Sequence, residues 1–171
     1  MYILSADHQT DSIEEMKHRW KAYQTYLASI KEQLPKSVYE YAIAPWHYDV
    51  GLHDPRCPHD AWVESITVSE TATRQDKQDR TIQIEARLLD PFHSGIITIR
   101  YNNVASFTLS TPNGKETRFP TAINRGHNDL IIDEIRLAED GNFIHEIEFA
   151  LGACWLINAE GFDYQWIPFQ Q

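Results

Sequence analysis

The sequence predicts an α+β fold in which two N-terminal helices pack on a curled antiparallel sheet of about seven strands. A helical spacing of apolar residues runs through residues 12–34, whereas a strand-like alternation of apolar and polar residues begins at Trp62. No helical pattern interrupts this second region. Its strands are therefore expected to be antiparallel neighbours, because parallel strands need long crossover connections.

The first helix is predicted over residues 12–34. Ser12 and Glu15 have the spacing of a capping box, and Pro35 is expected to end the helix. An amphipathic face must be covered, so the helix packs either on its own sheet or on a second copy in a homodimer. The apolar residues recur at spacings of three and four, which places them on one face: Ile13, Met16, Trp20, Tyr23, Leu27, Ile30 and Leu34.

A short second helix is predicted from another capping-box spacing, Ser37 to Glu40, and it is expected to end before Pro45. Residues 1–45 then form a helical arm, residues 46–61 a loop and residues 62–171 the β region. We expect one domain over residues 1–171, because a chain of this length supplies one full core and shows no linker.

Residues typical of turns divide the β region. They occur at residues 102–103, 112–114 and 139–142, and at Gly152 and Gly161. The segment that starts at Trp62 is the first strand. The further strands are predicted at residues 82–88, 96–101, 104–109, 130–137, 143–149, 154–158 and 162–166.

The charge of the chain restricts its partners. Twenty-five acidic residues against 15 basic ones give a formal net charge of −10. Because nucleic acids and anionic membranes are bound by clustered Lys and Arg, the sequence predicts neither as a partner. The acidity either keeps the protein soluble or favours a basic protein as a partner.

Two further features bear on location and cofactors. The chain has two cysteines, too few for a disulfide scaffold, and no stretch approaches the roughly 20 apolar residues that a membrane span needs. We therefore expect a cytoplasmic protein. A Gly-rich phosphate loop and a nucleophile elbow are both missing from the sequence, which predicts no cofactor.

The loop at residues 47–60 is rich in His and Asp. Its candidate metal ligands are His53, Asp54, His59 and Asp60, since imidazole and carboxylate are the usual ligands of catalytic zinc and iron. The spacing lacks the i, i+4 pair of a helical metal motif, and two prolines prevent a regular helix. The alternative interpretation is a polar turn that binds no metal.

Glu64 and His145 lie on strand faces that are otherwise apolar. A buried carboxylate beside a buried imidazole is typical of catalytic acid–base pairs, so the two are candidates for catalytic residues. The alternative is a core histidine bonded to the backbone and a glutamate at a sheet edge or in a strand bulge. Glu146 and Glu148 are expected on a wet face of their strand, where they would attract a basic partner or discourage sheet-edge aggregation.

Residues 52–54, Leu-His-Asp, and the segment 58–68 resemble a segment that leads into the β domain of small bacterial proteins of unknown function. Residues 128–135 and the hairpin strand 143–149 are similar to the same group, and the resemblance covers residues 52–169. It implies an antiparallel β domain and the kind of small acidic protein that serves as an immunity protein in bacterial toxin systems. It implies no catalytic residue.

We predict a non-enzymatic bacterial protein that acts through protein–protein contact. The first alternative is a metal-dependent enzyme centred on loop 47–60, and the second is a small-ligand binder that uses the interior of the curled sheet. A metal bound by the loop would favour the enzyme, and a deep apolar pocket would favour the ligand binder.

Overall fold

A computed structural model of the chain describes residues 12–48, 53–72, 80–111, 126–150 and 152–170. Two helices precede all the strands, as the sequence predicts. The elements are α1 (Ile13–Ile30), a 3-10 turn (Lys31–Gln33), α2 (Lys36–Ala42), β1 (Trp62–Ala72), β2 (Arg80–Leu89), β3 (Gly95–Leu109), β4 (Leu130–Leu137), β5 (Phe143–Phe149) and β6 (Cys154–Pro168).

The six described strands form one sheet in the order β1-β2-β3-β6-β5-β4, and every neighbouring pair is antiparallel. The prediction of an α+β fold with an antiparallel sheet is confirmed. The described sheet has six strands rather than about seven, because β3 and β6 each join two predicted strands. Asn102 and Gly161, expected in turns, lie opposite each other within this long pair.

The predicted turn is replaced by a bulge between Val104 and Ser106, next to Asn103, which has a positive φ of 52°. The strand pairing continues on both sides of the bulge. The turn predicted at residues 112–114 lies outside the described residues.

The sheet curls but does not close. A single bridge joins Trp62, at the start of β1, to Asp129, just before β4. Beside it the Asp60 N–H donates to the Leu130 carbonyl (2.8 Å), and the Leu130 N–H donates to the Ala61 carbonyl (3.1 Å). The two edge strands therefore meet at one corner of the sheet.

The apolar face of α1 packs on the core of its own chain from Trp20 onward. Tyr23, Leu27 and Ile30 are buried in the same core as the inward side chains of the sheet, whereas Met16 near the start of α1 is 46% exposed. Burying each large apolar side chain contributes roughly 1.5–3 kcal/mol, so these contacts hold α1 in place. The inward strand residues are Ile84, Leu88, Ile97, Ile99, Tyr101, Ile135, Phe143, Ile147, Trp155 and Ile157.

The two helix starts differ. Ser12 and Glu15 form the predicted capping box, in which the Glu15 N–H donates to Ser12 Oγ (3.3 Å). The second predicted capping box is wrong, because α2 begins after Pro35 without a side-chain cap. Ser37 instead donates its hydroxyl to the Phe162 carbonyl (2.6 Å), which ties α2 to β6. No helix among the described residues is long and apolar enough to cross a membrane.

Candidate functional site

A cluster of buried polar side chains lies inside the curled sheet, centred on Asp133 of β4. Asp133 is only 3% exposed. Its Oδ2 accepts hydrogen bonds from the Tyr41 hydroxyl (2.9 Å) and from Nε2 of His145 (2.8 Å). Nε2 of His47 lies 2.9 Å from Oδ1 and 3.0 Å from Oδ2. The carboxylate thus has donors from α2, from the segment after α2 and from β5.

Hydrogen-bond geometry fixes the proton on His145. Its Nε2 faces the carboxylate of Asp133, so Nε2 carries the proton. Its Nδ1 lies 2.7 Å from the Tyr101 hydroxyl, which can donate to this nitrogen or accept from it. Both ring nitrogens of His145 therefore have a hydrogen-bond partner.

His47 is different because both of its ring nitrogens face acceptors. Nδ1 lies 3.0 Å from the Tyr41 carbonyl, and Nε2 faces Asp133. A carbonyl and an ionised carboxylate only accept, so each nitrogen carries a proton and His47 is a cation. His47 and Asp133 are a buried ion pair whose charges cancel.

Three influences decide the ionisation of Asp133. Burial acts to raise the pKa of Asp133, but the charge of His47 and the hydrogen bonds from His145 and His47 outweigh it. The pKa of Asp133 therefore lies well below its ordinary value. Because the carboxylate is ionised and its lone pairs already accept hydrogen bonds, it is poorly placed to act as a general base on a bound substrate.

A cleft of about 780 Å³ opens beside this cluster, between α1, the segment after α2 and β4. His47 and Asp133 line its inner end, since both are nearly fully buried. Most of the remaining lining is apolar. The lining residues are Met16, Arg19, Trp20, Gln24, Leu27, Ala42, Ile43, Ala44, Pro45, His47, Tyr48, His59, Leu130, Ile131, Ile132 and Asp133.

His53 and Asp54, two of the candidate metal ligands, have separate partners. The His53 ring lies edge-on to Phe92, with 6.0 Å between the ring centroids. Asp54 forms a bidentate pair with Arg56, at 2.9 Å to Nε and 2.7 Å to Nη2. This pairing lowers the pKa of Asp54.

His59 and Asp60 are adjacent but do not join the other two candidates in a cluster. His59 Nδ1 donates to the Ile131 carbonyl (2.7 Å), and its Nε2 is 3.6 Å from Asp60 Oδ1. In the part of the chain that the structure describes, no three His, Cys, Asp or Glu side chains are grouped so that they could hold a metal ion. The loop arrangement therefore gives the enzyme alternative no support.

The structure does not bring Glu64 and His145 together. Glu64 lies on the surface of β1, where its carboxylate is 3.8 Å from Nη2 of Arg87. His145 is fully buried beside Asp133. The sequence thus identifies the buried imidazole but not the carboxylate that accompanies it.

Glu146 is buried rather than exposed on a wet face. It is 3% exposed, and its Oε2 accepts a hydrogen bond from Nη2 of Arg136 (3.2 Å). Burial raises the pKa of Glu146 to about 7, although Arg136 acts in the opposite direction. Glu148 is half-buried. These two residues therefore do not form the exposed acidic face that the alternation of β5 suggests.

A row of apolar side chains crosses the outer face of the sheet at one end. The strand registers place Trp62 opposite Leu89, Leu89 opposite Ile96, and Ile96 opposite Ile167. Phe92 lies in the turn between β2 and β3, and Phe169 follows β6. We call these six residues the apolar patch: Trp62, Leu89, Phe92, Ile96, Ile167 and Phe169.

Among the described residues, the cleft and the apolar patch are two surface features that offer a contact to another molecule. The cleft is concave and lies beside the Asp133 cluster, whereas the apolar patch lies on the outer face of the sheet. Comparisons of this chain with protein-family models, with curated proteins and with solved structures find no match.

Proposed function

We propose that this chain is a binding protein that contacts another protein through the apolar patch. The observation that carries the proposal is the concentration of exposed apolar side chains there. Nine large hydrophobic side chains of the described residues are exposed, and four of them belong to this patch. These four are 46–49% exposed: Trp62, Phe92, Ile167 and Phe169. Contiguous exposed patches of this kind mark protein interaction sites more often than scattered residues do.

The chemistry of the apolar patch suits a protein interface. Two Phe and one Trp supply the large anchors that dominate binding energy in such interfaces. Ile96 is buried and lies in register between Leu89 and Ile167, at the centre of the row.

The turn that carries Phe92 is held in one conformation by Asp90. This fully buried carboxylate accepts hydrogen bonds from the Phe92 N–H (2.8 Å) and the Ser94 N–H (3.1 Å). The Trp166 indole also donates to it (2.9 Å), and the Phe169 N–H donates to the Ser94 carbonyl (2.8 Å). A patch that is ordered before binding loses less entropy on association.

The charge of the chain indicates the kind of partner. A net charge of −10 on 171 residues accelerates encounter with a basic surface and slows encounter with an acidic one. We therefore propose a basic protein as the partner. The resemblance of residues 52–169 to small bacterial proteins of the immunity type favours a basic toxin within that class.

The experiment is quantitative affinity capture from the source cell with wild-type protein and a double variant, Phe92→Ser with Ile167→Ser. Both side chains are about half exposed, so the double variant should fold. The matched control is Phe107→Ser, which removes a 40% exposed aromatic near the end of β3 that lies away from the apolar patch. We expect a basic partner that wild type and control recover equally and the double variant recovers at least tenfold less.

Recovery of the partner should also fall as salt is raised, because exposed charges are screened within about 10 Å at 0.1 M salt. Equal recovery of the same proteins by wild type and the double variant would contradict the proposed binding surface. Loss of the partner with Phe107→Ser alone would place the interface elsewhere.

A further inference from the structure

We infer that the outer edge of β1 pairs with β1 of a second copy of this chain, so that two copies form an antiparallel homodimer with one continuous sheet. The inference goes beyond the proposed protein-binding function. The pairing involves residues 65–71, none of which belongs to the apolar patch. Dimerisation and binding at the apolar patch can therefore be tested separately.

β1 is an edge strand of the described sheet, and most of its outer edge is unpaired. A single bridge joins Trp62 at its start to Asp129. Beyond this bridge, no backbone hydrogen bond of the described residues joins residues 63–72 to a segment other than β2. A row of unpaired N–H and C=O groups of this kind is a template for another strand.

The regular part of β1 lacks the features that commonly protect an edge strand, which are lysine, proline and a bulge. The bulge of β1 lies between Val63 and Ser65, and the register with β2 is continuous from Ser65 to Ala72. This stretch contains no Lys, Arg or Pro, and Glu70 is its only charged residue. Its outer edge is therefore open to pairing.

The hairpin of β1 and β2 extends past the neighbouring strand. β2 pairs with β3 from Ile84 to Leu89, whereas residues 80–83 pair only with β1 in the described sheet. Val68 and Ile82, on one face of the hairpin, are 47% and 37% exposed. Because a two-stranded hairpin is only marginally stable by itself, a further strand beside it would stabilise it.

The sequence of β1 fits a second copy of itself. In an antiparallel pair related by a two-fold axis and centred on Val68, this exposed side chain lies opposite its own copy. Glu70 then lies opposite Ile66, so no two like charges of this stretch are opposed. Apolar pairs and hydroxyl pairs both stabilise antiparallel strands. The hydroxyl pairs on the other face are Ser65 with Thr71 and Thr67 with Ser69.

This register also supports the projecting end of each hairpin. Residues 69–71 pair with the part of β2 that has no β3 beside it, whereas residues 65–67 pair with the part that has β3 as a neighbour. In the dimer residues 69–71 of one copy lie against residues 65–67 of the other. Each projecting end therefore gains a neighbour that the sheet of its partner holds in place.

The charges near this edge do not oppose pairing, although the chain as a whole is acidic. Repulsion between two net charges of −10 is screened within about 8 Å at physiological salt. Each of three carboxylates on the two strands has an arginine partner: Glu64 with Arg87 (3.8 Å), Glu70 with Arg80 (3.6 Å) and Glu85 with Arg100 (2.7 Å).

The other edge of the sheet limits the assembly to two copies. The contact uses the β1 edge of both copies. At the β4 edge, α1 supplies hydroxyl groups that accept from the Ile135 and Leu137 N–H groups. The described sheet then has no open edge to which a third copy could add. We therefore expect a closed dimer rather than a filament.

Analytical ultracentrifugation of the full chain, from nanomolar to submillimolar concentration, tests the inference. We expect a reversible equilibrium between monomer and dimer. Val68→Lys places two ammonium groups opposite each other across the two-fold axis and should weaken dimerisation at least tenfold. The matched control is Phe107→Lys, the same change at a 40% exposed position near the end of β3, which should leave the equilibrium unchanged.

Cysteine variants test the register with a smaller change to the edge. Mild oxidation should link two copies of Val68→Cys, because opposed residues of antiparallel neighbours have Cα atoms about 4.5–5.5 Å apart. The control is Ile82→Cys on β2, since the two β2 strands of the dimer are roughly 14 Å apart, too far for a disulfide. Wild type, with Cys57 and Cys154, gives the background.

A wild-type chain that stays monomeric at every concentration would overturn the inference, and so would assemblies that grow beyond the dimer. A dimer that Val68→Lys leaves intact, or that oxidation links through Ile82→Cys but not through Val68→Cys, would also overturn it. None of these outcomes bears on recovery of a partner through the apolar patch.

Discussion

Asp133 remains charged in the interior because its surroundings supply hydrogen-bond donors and the compensating charge of His47. His47, His145 and Tyr41 all direct protons at its two oxygens. Removing one partner of a buried ion pair costs more stability than replacing both partners by apolar residues, because the remaining charge is left without a counter-ion. The cluster therefore contributes to a unique arrangement of α2, β4 and β5.

Asp133→Asn tests the protonation of His47. The amide is similar in shape but neutral, so His47 must fold as a neutral ring that accepts a hydrogen bond from the amide N–H. At pH 5 the imidazole is charged in the unfolded chain, so folding of the variant must remove a proton from it. At pH 8 the imidazole is already neutral in the unfolded chain, so folding removes no proton. We expect the variant to lose about 2 kcal/mol or more of stability at pH 5 relative to pH 8.

Urea denaturation of wild type and Asp133→Asn at both pH values measures this difference. Asp60→Asn, the same change on an exposed carboxylate, is the control and should have little effect at either pH. A penalty for Asp133→Asn that is the same at pH 5 and pH 8 would show that His47 is neutral in the wild-type protein.

Glu146 should make the folded protein less stable as the pH rises, whereas a carboxylate with a lowered pKa makes it more stable. The pKa of Glu146 in the folded protein is about 7, whereas that of an unfolded glutamate is about 4.3. Between these values the folded chain holds a proton that the unfolded chain has released, so stability falls as pH rises. Glu146→Gln removes this effect and should stabilise the protein at pH 8 relative to pH 5, by on the order of 2 kcal/mol.

Thermal or urea unfolding at the two pH values checks this prediction. The control is Glu139→Gln in the exposed turn between β4 and β5. If Glu146→Gln is no more favourable at pH 8 than at pH 5, then Glu146 is ionised throughout this range, and Arg136 compensates its burial fully.

At the residue scale the sequence predicts part of the buried cluster. The position of His145 between apolar neighbours identifies it as an inward side chain. Asp133 is hidden because a bulge between Leu130 and Ile132 shifts the alternation of β4 by one residue. His47 lies in a loop, where no periodicity indicates which way a side chain points.

Among the elements, α1 protects an edge of the sheet. The Ile135 N–H donates to the Tyr23 hydroxyl (2.8 Å), and the Leu137 N–H donates to the Tyr26 hydroxyl (2.9 Å). Both amides point away from β5, where β4 has no further strand as a neighbour. The helix thus supplies acceptors to backbone groups that would otherwise be left without partners or would pair with another chain.

Tyr23→Phe and Tyr26→Phe should differ in cost for this reason. Tyr23 is fully buried, so its loss leaves the Ile135 amide without a partner and costs about 1–3 kcal/mol. Tyr26 is only partly buried, so water can replace its hydroxyl, and we expect less than about 1 kcal/mol. Urea denaturation gives both values.

Hydrogen exchange supplies an independent readout of the same contacts. The Ile135 amide should exchange faster in Tyr23→Phe, and the Leu137 amide should exchange faster in Tyr26→Phe. In each variant the exchange of the other amide should change only as much as the global stability does. Unchanged exchange at both amides would mean that the hydroxyls do not protect the edge of β4.

Element types follow from the sequence more reliably than element ends. The spacing of apolar residues predicts α1 and its packing, and Ser12 with Glu15 predicts its cap. Asn102, Asn103 and Gly161 are residue types that are common in turns. In the structure Asn102 lies opposite Gly161, and the strand pairing of β3 and β6 continues through this point. Only the partner strand decides between a turn and a bulge, and its register is not a local property of the sequence.

For the molecule as a whole, the distribution of charge is less uniform than the composition implies. Among the described residues four carboxylates are buried, on Asp90, Asp133, Glu134 and Glu146, and they therefore contribute little to the outer surface. The sequence correctly gives the total charge, but it cannot show that Glu146 is buried on the face of β5 opposite the core, or that the apolar patch gathers residues from three separate stretches of the chain. Both depend on strand order.

Site-specific photo-crosslinking in the source cell tests whether binding occurs at the apolar patch. A benzophenone side chain replaces Phe92 in one variant and Phe107 in the other. Both positions are exposed aromatics, so neither substitution should disturb the fold. We predict a discrete adduct of the chain with one basic protein from position 92 and none from position 107. An adduct from position 107 alone, or none from either position, would show that the partner does not bind at the apolar patch.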